Sequence, residues 1–314
     1  MSSSLKTAKV LLVTSHSETV PKSRLHLKFM RGLEKYVGEY IVVDKITERK
    51  EDPEFPTEAR AIYNMYKPDL VIGYTSYGLS KTFFKRFPCK KVLIETDFYK
   101  KVENKLYWYE RNELDLIIQR GSYNPSVSLD IPMVYMPFSA DRNEFFPVDN
   151  WSDKENLIRF SGSKRSPIYA DRRKAIDKLE RAKLINLGSR RVKDYPRFVR
   201  EGVGFLTSTE IDSAHGKVFE ALASGTVMLT PPFSLQRELF GAPGRGYLEY
   251  AKDSSDIISK AKYLLNNPDL AKKIAEKGNR IFLAKHTHEQ RMKELVHHLT
   301  RLLEDKPEER IWSI

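Results

Sequence analysis

The chain has 314 residues, 40% of them hydrophobic, enough for two domains of ordinary size with their own cores. No stretch is apolar for long enough to cross a bilayer, and residues 1–7 carry Ser and Lys without an apolar signal core, so a cytoplasmic protein with no integral membrane part is expected. The single Cys89 excludes an intramolecular disulfide and a cysteine-cluster metal site, while a formal charge of +12 favours anionic partners: nucleotide sugars, nucleic acid or acidic membrane surfaces.

Lys9–Thr14 is a short apolar run that predicts a first strand. Leu25, Phe29, Leu33 and Tyr36 recur at helical intervals and predict a helix over Ser23–Tyr36. Strands are then expected at Tyr40–Val43, Leu70–Gly73, Lys91–Glu95, Leu114–Gln119 and Ile131–Met136, with a helix at Ala59–Tyr66 ended by Lys67-Pro68-Asp69. Strands alternating with helical segments imply a parallel, doubly wound sheet, which binds ligands at the carboxyl ends of its strands. The loops at those ends carry Ser15–Glu18, Tyr74–Gly78, and Glu95, Thr96 and Asp97. No glycine-rich dinucleotide fingerprint follows the first strand, which disfavours a nicotinamide site.

Pro137 and Pro147 bracket a segment that cannot be regular helix throughout. A domain boundary is expected near Pro147–Glu155, dividing 1–149 from 150–286. The second half restarts with a strand at Leu157–Ser161, the turn Gly162-Ser163-Lys164-Arg165 and a helix at Ala170–Arg181. Lys164 or Arg165 could meet a diphosphate, or be solvated turn charges. Further strands are expected at Leu184–Leu187, Gly204–Thr207 and Tyr247–Tyr250.

His215–Thr230 reads as a helix followed by a strand. Val218, Phe219, Leu222 and Ala223 face a core, Gly225 ends the helix, and Thr226–Thr230 is a buried strand. Gly216 permits close backbone approach at the helix front, where first-turn N–H groups attract phosphate. Lys217 adds a full positive charge there, and Glu220, one turn on, can accept hydrogen bonds from a vicinal diol such as a ribose. A plain helix start with a solvated Glu220 is the competing reading. Downstream, Asn267 and Pro268 open a helix that Gly278 is expected to end, and Thr287 with Gln290 opens a final helix whose stripe is Met292, Leu295, Val296, Leu299, Leu302 and Leu303.

Phe219-Glu220-Ala221-Leu222-Ala223-Ser224-Gly225 resembles the nucleotide-binding signature of group 1 glycosyltransferases with two facing Rossmann-like domains, the GT-B fold. Met136–Pro147 resembles the exit from their first domain. The Asn267-Pro268 opening and His286–Arg291 resemble the CgeB-type, spore-maturation branch. The resemblance implies an α/β protein whose 1–149 domain takes the acceptor, whose 150–286 domain takes the donor, and whose final segment, 287–314, crosses back to the first domain. It also implies an acidic residue eight positions before the signature glutamate. Asp212 stands there in place of the usual Glu.

The donor set is therefore Gly162, Lys164, Arg165, His215, Gly216, Lys217, Val218 and Glu220. His16, Asp97 and Asp212 are the candidates for catalysis: His16 and Asp97 as rival bases at strand ends, Asp212 on the sugar hydroxyls. With no Asp-x-Asp metal motif after a strand, no metal or other cofactor is expected beyond a nucleoside-diphosphate sugar as co-substrate, UDP-sugar foremost. The acceptor is open between a hydroxymethylated base in DNA and cell- or spore-surface glycans or proteins. For DNA speak the basic groups Lys81, Lys85, Arg86, Lys90 and Lys91, Lys100, Lys101 and Lys105, and Arg190–Arg200, with Tyr74, Tyr77, Phe98, Tyr99, Tyr107, Trp108 and Tyr109 interleaved. A non-catalytic binding protein and an epimerase of the same fold are the rivals from other classes.

Overall fold

The computed structural model describes residues 3–14, 28–43, 56–74, 79, 82–96, 102–121, 130–164, 169–188, 194–207 and 214–306. The chain packs as two compact units, the first from Met1–Met136 with Arg291–Trp312, the second centred on Pro137–Gln290.

In the first unit the described strands are β1 (Lys9–Val13), β2 (Glu39–Val43), β3 (Leu70–Tyr74), β4 (Lys90–Glu95), β5 (Leu116–Gln119) and β6 (Met133–Tyr135). They form one parallel sheet in the order β2-β1-β3-β4-β5-β6, with Val10 opposite Leu70 and Val92 opposite Leu116. Side chains alternate between its faces as a pleated strand requires. Val10, Leu12, Ile72, Ile94 and Ile118 enter one core; Leu11, Val13, Val71, Leu93 and Ile117 enter the other. Both faces are covered, which is why these strands read as continuous apolar runs.

The first core is closed by the helix His288–Leu303, which buries Met292, Leu295, Val296 and Leu299. Thr287 Oγ1 accepts from the Gln290 N–H at 3.3 Å, the expected cap.

The second unit repeats the winding. Its strands are β7 (Glu155–Ser161), β8 (Ile185–Gly188), β9 (Gly202–Leu206), β10 (Val227–Thr230) and β11 (Tyr247–Glu249). They form a parallel sheet in the order β11-β10-β9-β7-β8. Each sheet thus reverses its strand order once, between β1 and β3 and between β7 and β9.

Several expectations are corrected here. Residues 137–149, placed with the first half by sequence, pack with the second: Phe145 is buried with Ala214, Val218 and Phe219, and Pro147 abuts Gly225. Gly278 does not end its helix, which runs Pro268–Lys285; Gly278 lies inside it, where its Cα meets Gly246 so closely that a Cβ would stand 2.4 Å from the Gly246 Cα. Asn267 gives that helix no side-chain cap, because its amide donates backwards to the Tyr263 carbonyl at 2.7 Å. Of the expected Ser23–Tyr36 helix, the described part ends as a 3-10 turn over Gly32–Tyr36.

Candidate functional site

The helix Gly216–Ala223 follows β9 and leads into β10. Its apolar face, Val218, Phe219, Leu222 and Ala223, is fully buried; each large side chain contributes about 2 kcal/mol by leaving water. Phe219 packs on Phe240 and His286, with ring centroids 5.7 and 5.1 Å away. At the far end the Asn279 amide donates to the carbonyls of Leu222 and Ala223, at 3.1 and 2.8 Å. Gly225 then turns the chain with φ +57°, a conformation side chains rarely take.

The front of this helix lies beside the point where the second sheet reverses its order, the place where open α/β sheets bind ligands. The His215 side chain does not cap it, and its first turn holds no acidic residue. The unbonded N–H ends of such a helix carry a partial positive charge. Among the described residues, a Cβ at Gly216 would meet only Glu220 Oε1, at 3.8 Å, an ordinary contact. Neither its φ nor its described neighbours require a glycine there.

Lys217 reaches from this helix across to β7, where its ammonium donates to the Ser161 carbonyl. It lies 5.9 Å from the Phe160 ring centroid and 5.8 Å from that of Tyr195. A Cβ at Gly162 would stand 3.3 Å from Lys217 Nζ and 2.9 Å from Phe160 Cζ. Gly162 and Lys217, 55 positions apart in sequence, are thus one feature: the glycine clears the space the ammonium occupies.

Glu220 is 9% exposed. Burial raises its pKa above the ordinary carboxylate range, Glu144 adding to the rise and the Tyr195 hydrogen bond and Lys217 opposing it. The Tyr195 hydroxyl donates to Glu220 Oε2 at 2.8 Å. Tyr195 is the residue missed in the sequence. It opens the six-residue helix Tyr195–Arg200, too short for periodicity to reveal.

Of the remaining donor candidates, Val218 is core and His215 is the extended residue before the helix, its carbonyl accepting from the Val218 N–H at 3.0 Å. Lys164 turns to the helix Ala170–Arg181, pairing with Asp177 at 2.7 Å and with Glu180, so its charge is compensated there. Arg165, His16, Asp97 and Asp212 lie outside the described residues.

Several aromatic and basic residues that sequence offers to DNA are otherwise engaged. Tyr74, Trp108 and Tyr109 are buried in the first unit's cores because their rings join the apolar faces of β3 and of the helix Val102–Arg111; Tyr107 stays 54% exposed. Lys85 pairs with Glu113, Lys90 with Asp305, and Arg197 with Glu201. Lys105 pairs at 2.8 Å with Glu95, which is wholly buried and also accepts from the Tyr109 hydroxyl. Among the described residues no three His, Cys, Asp or Glu side chains group as metal ligands, and no helix is long and apolar enough to cross a membrane.

Residues 164–297 match the family described as glycosyl transferase-like. No curated protein sequence matches the chain. Among solved structures it is similar to a sucrose-phosphate synthase from Thermosynechococcus elongatus, at TM-score 0.68 and 11% identity over 95% of this chain and 100% of that one. It is similar to Anabaena HepE in complex with UDP and glucose, at TM-score 0.67 and 11% identity over 93% and 99%. It is also similar to an alpha-glucosyltransferase in complex with UDP-glucose and DNA containing an abasic site, at TM-score 0.64 and 10% identity over 94% and 100%. At such identity the likeness is one of fold, and the fold is GT-B.

Proposed function

We propose that the protein is a glycosyltransferase that moves a sugar from a nucleoside-diphosphate sugar, a UDP-sugar first, to an acceptor hydroxyl. The observation that carries this is the front of the Gly216–Ala223 helix, uncapped by the His215 side chain, with the Lys217 ammonium and the buried Glu220 carboxylate on the same helix. The diphosphate docks on the first-turn N–H groups and the ribose on Glu220. As the acceptor oxygen attacks the anomeric carbon, the bond to the diphosphate oxygen breaks and negative charge grows on the leaving group. The helix front and the Lys217 ammonium are fixed positive ends that meet this charge. The acceptor hydroxyl loses its proton to a base, for which His16 and Asp97 are the candidates; Asp212 is proposed on the sugar hydroxyls, Arg165 on the diphosphate. The second unit carries the donor and the first is left to the acceptor.

Replacing Glu220 by Ala tests the donor site. Losing hydrogen bonds to a charged group costs about 1.5–3 kcal/mol, so UDP affinity should fall roughly 10- to 100-fold by calorimetry. Unchanged affinity would overturn the assignment. Because positive charge is supplied by the chain itself, turnover should persist in excess chelator; loss restored by magnesium or manganese would refute a metal-free reaction. Among acceptors, the charge of +12 and the fold shared with a DNA-bound alpha-glucosyltransferase favour DNA as the reading to test first. Binding of duplex DNA should weaken steeply as salt rises. Absence of binding leaves surface glycans or proteins as acceptors.

A further inference from the structure

We infer that Tyr195 is a positioning residue for the donor site, fixing which oxygen of Glu220 is offered to the ribose. This rests on the donor reading above. One ring touches both charged side chains of the site: its hydroxyl holds Glu220 Oε2 at 2.8 Å, and its face lies 5.8 Å from Lys217 Nζ.

The ring is itself held. Phe145 packs edge-on against it at 6.0 Å between centroids. The backbone beneath it is fixed because Asp194 caps the helix Tyr195–Arg200, its side chain accepting from the Arg197 N–H at 3.2 Å. Burial and the neighbouring Glu220 push the phenol well above its ordinary pKa, so it remains an O–H donor. With Oε2 engaged, Oε1 is the oxygen turned towards Gly216, near enough to stand 3.8 Å from a Cβ there. It is therefore the one presented to a ligand at the helix front.

The hydroxyl has a second effect. Donating to a carboxylate favours its charged form, and here it opposes the burial that favours the neutral acid. The groups facing Glu220 are Tyr195 and Lys217, which hold it charged, and Glu144, which works against them. Tyr195 thus sets both the direction of the acceptor oxygen and the pH range in which it accepts.

Tyr195→Phe keeps the ring and removes only the hydroxyl. Calorimetric binding of UDP and of 2′,3′-dideoxy-UDP, each across mildly acidic to neutral pH, reads the role directly. The variant should bind UDP about tenfold more weakly, the scale of one charge-assisted hydrogen bond. Dideoxy-UDP should bind both proteins equally, and the acid limb of UDP binding should move to higher pH in the variant. Equal losses for both ligands, or no loss and an unmoved acid limb, would overturn the role. If Glu220→Ala loses UDP while Tyr195→Phe does not, only the role of Tyr195 falls; if Glu220→Ala binds UDP normally, the donor reading falls with it.

Discussion

At the residue scale the site turns on small clearances and one buried charge. Gly162 leaves space that Lys217 fills, and an added methyl would press on the ammonium from 3.3 Å. Gly162→Ala should therefore displace Lys217 and weaken UDP binding about tenfold, as expected when a charge-assisted contact is lost. Calorimetry with a thermal scan separates this from unfolding. Glu220 carries a stability cost as well as a binding role. Its pKa stands above the ordinary 4.5 because of burial, so the folded chain holds that proton more tightly than the unfolded chain does. Its contribution is intact below the ordinary value and declines as pH rises through the raised one. Glu220→Gln should melt higher than the parent at neutral pH, with the gap closing in mild acid, while binding UDP less well. Thermal scans across that range decide; a gap independent of pH would contradict the buried carboxylate. None of this was readable from spacing alone. Glu220 was visible as a residue one turn past Gly216, but Tyr195 reaches it only through the fold, from 25 positions away.

At the element scale, periodicity revealed what was long or fully buried. The strands of both sheets and the helix Ala170–Arg181 follow directly from their apolar patterns, as does the helix–turn–strand from Gly216 to Thr230. Five of the described α-helices are absent from the sequence reading: Ser3–Thr7, Val102–Arg111, Tyr195–Arg200, Gln236–Phe240 and Ile257–Leu265. Three are five or six residues long, below what a 3.6-residue period can show. Val102–Arg111 buries Trp108 and Tyr109 among polar neighbours, whereas Ile257–Leu265 buries a regular stripe, Ile257, Ala261, Leu264 and Leu265, that the 3.6-residue period does carry and that went unread. Gly278 misled for a different reason. A glycine inside a helix is read as its end, but here it marks a close crossing with Gly246. Its neighbour Asn279 ties that helix to the donor helix by holding the carbonyls of Leu222 and Ala223. Asn279→Ala should cost about 1 kcal/mol per lost bond and lower the melting temperature by a few degrees, leaving UDP affinity within a factor of two or so. A large loss of UDP affinity would mean that the helix front depends on its far end.

At the scale of the whole molecule, the same winding order is used twice. A chain with two doubly wound sheets was legible because strands and helices alternate throughout. The border was not, because Pro137–Pro147 is punctuated like a linker yet carries Phe145, a core residue of the second unit. The first unit also depends on residues far along the chain. Met292, Leu295, Val296 and Leu299 contribute roughly 2 kcal/mol each, about as much as the whole stability of an ordinary domain. A chain ended after Gln290 should leave the first unit unfolded, read as loss of a cooperative transition and ready proteolysis of that half.

The return of the chain at Arg291 has a consequence for synthesis. The ribosome delivers the amino-terminal sheet early, but the helix that seals it emerges only after the entire second unit has been made. The part translated first is therefore completed last, and its apolar face must wait, shielded by chaperones or by transient collapse, while the later half matures.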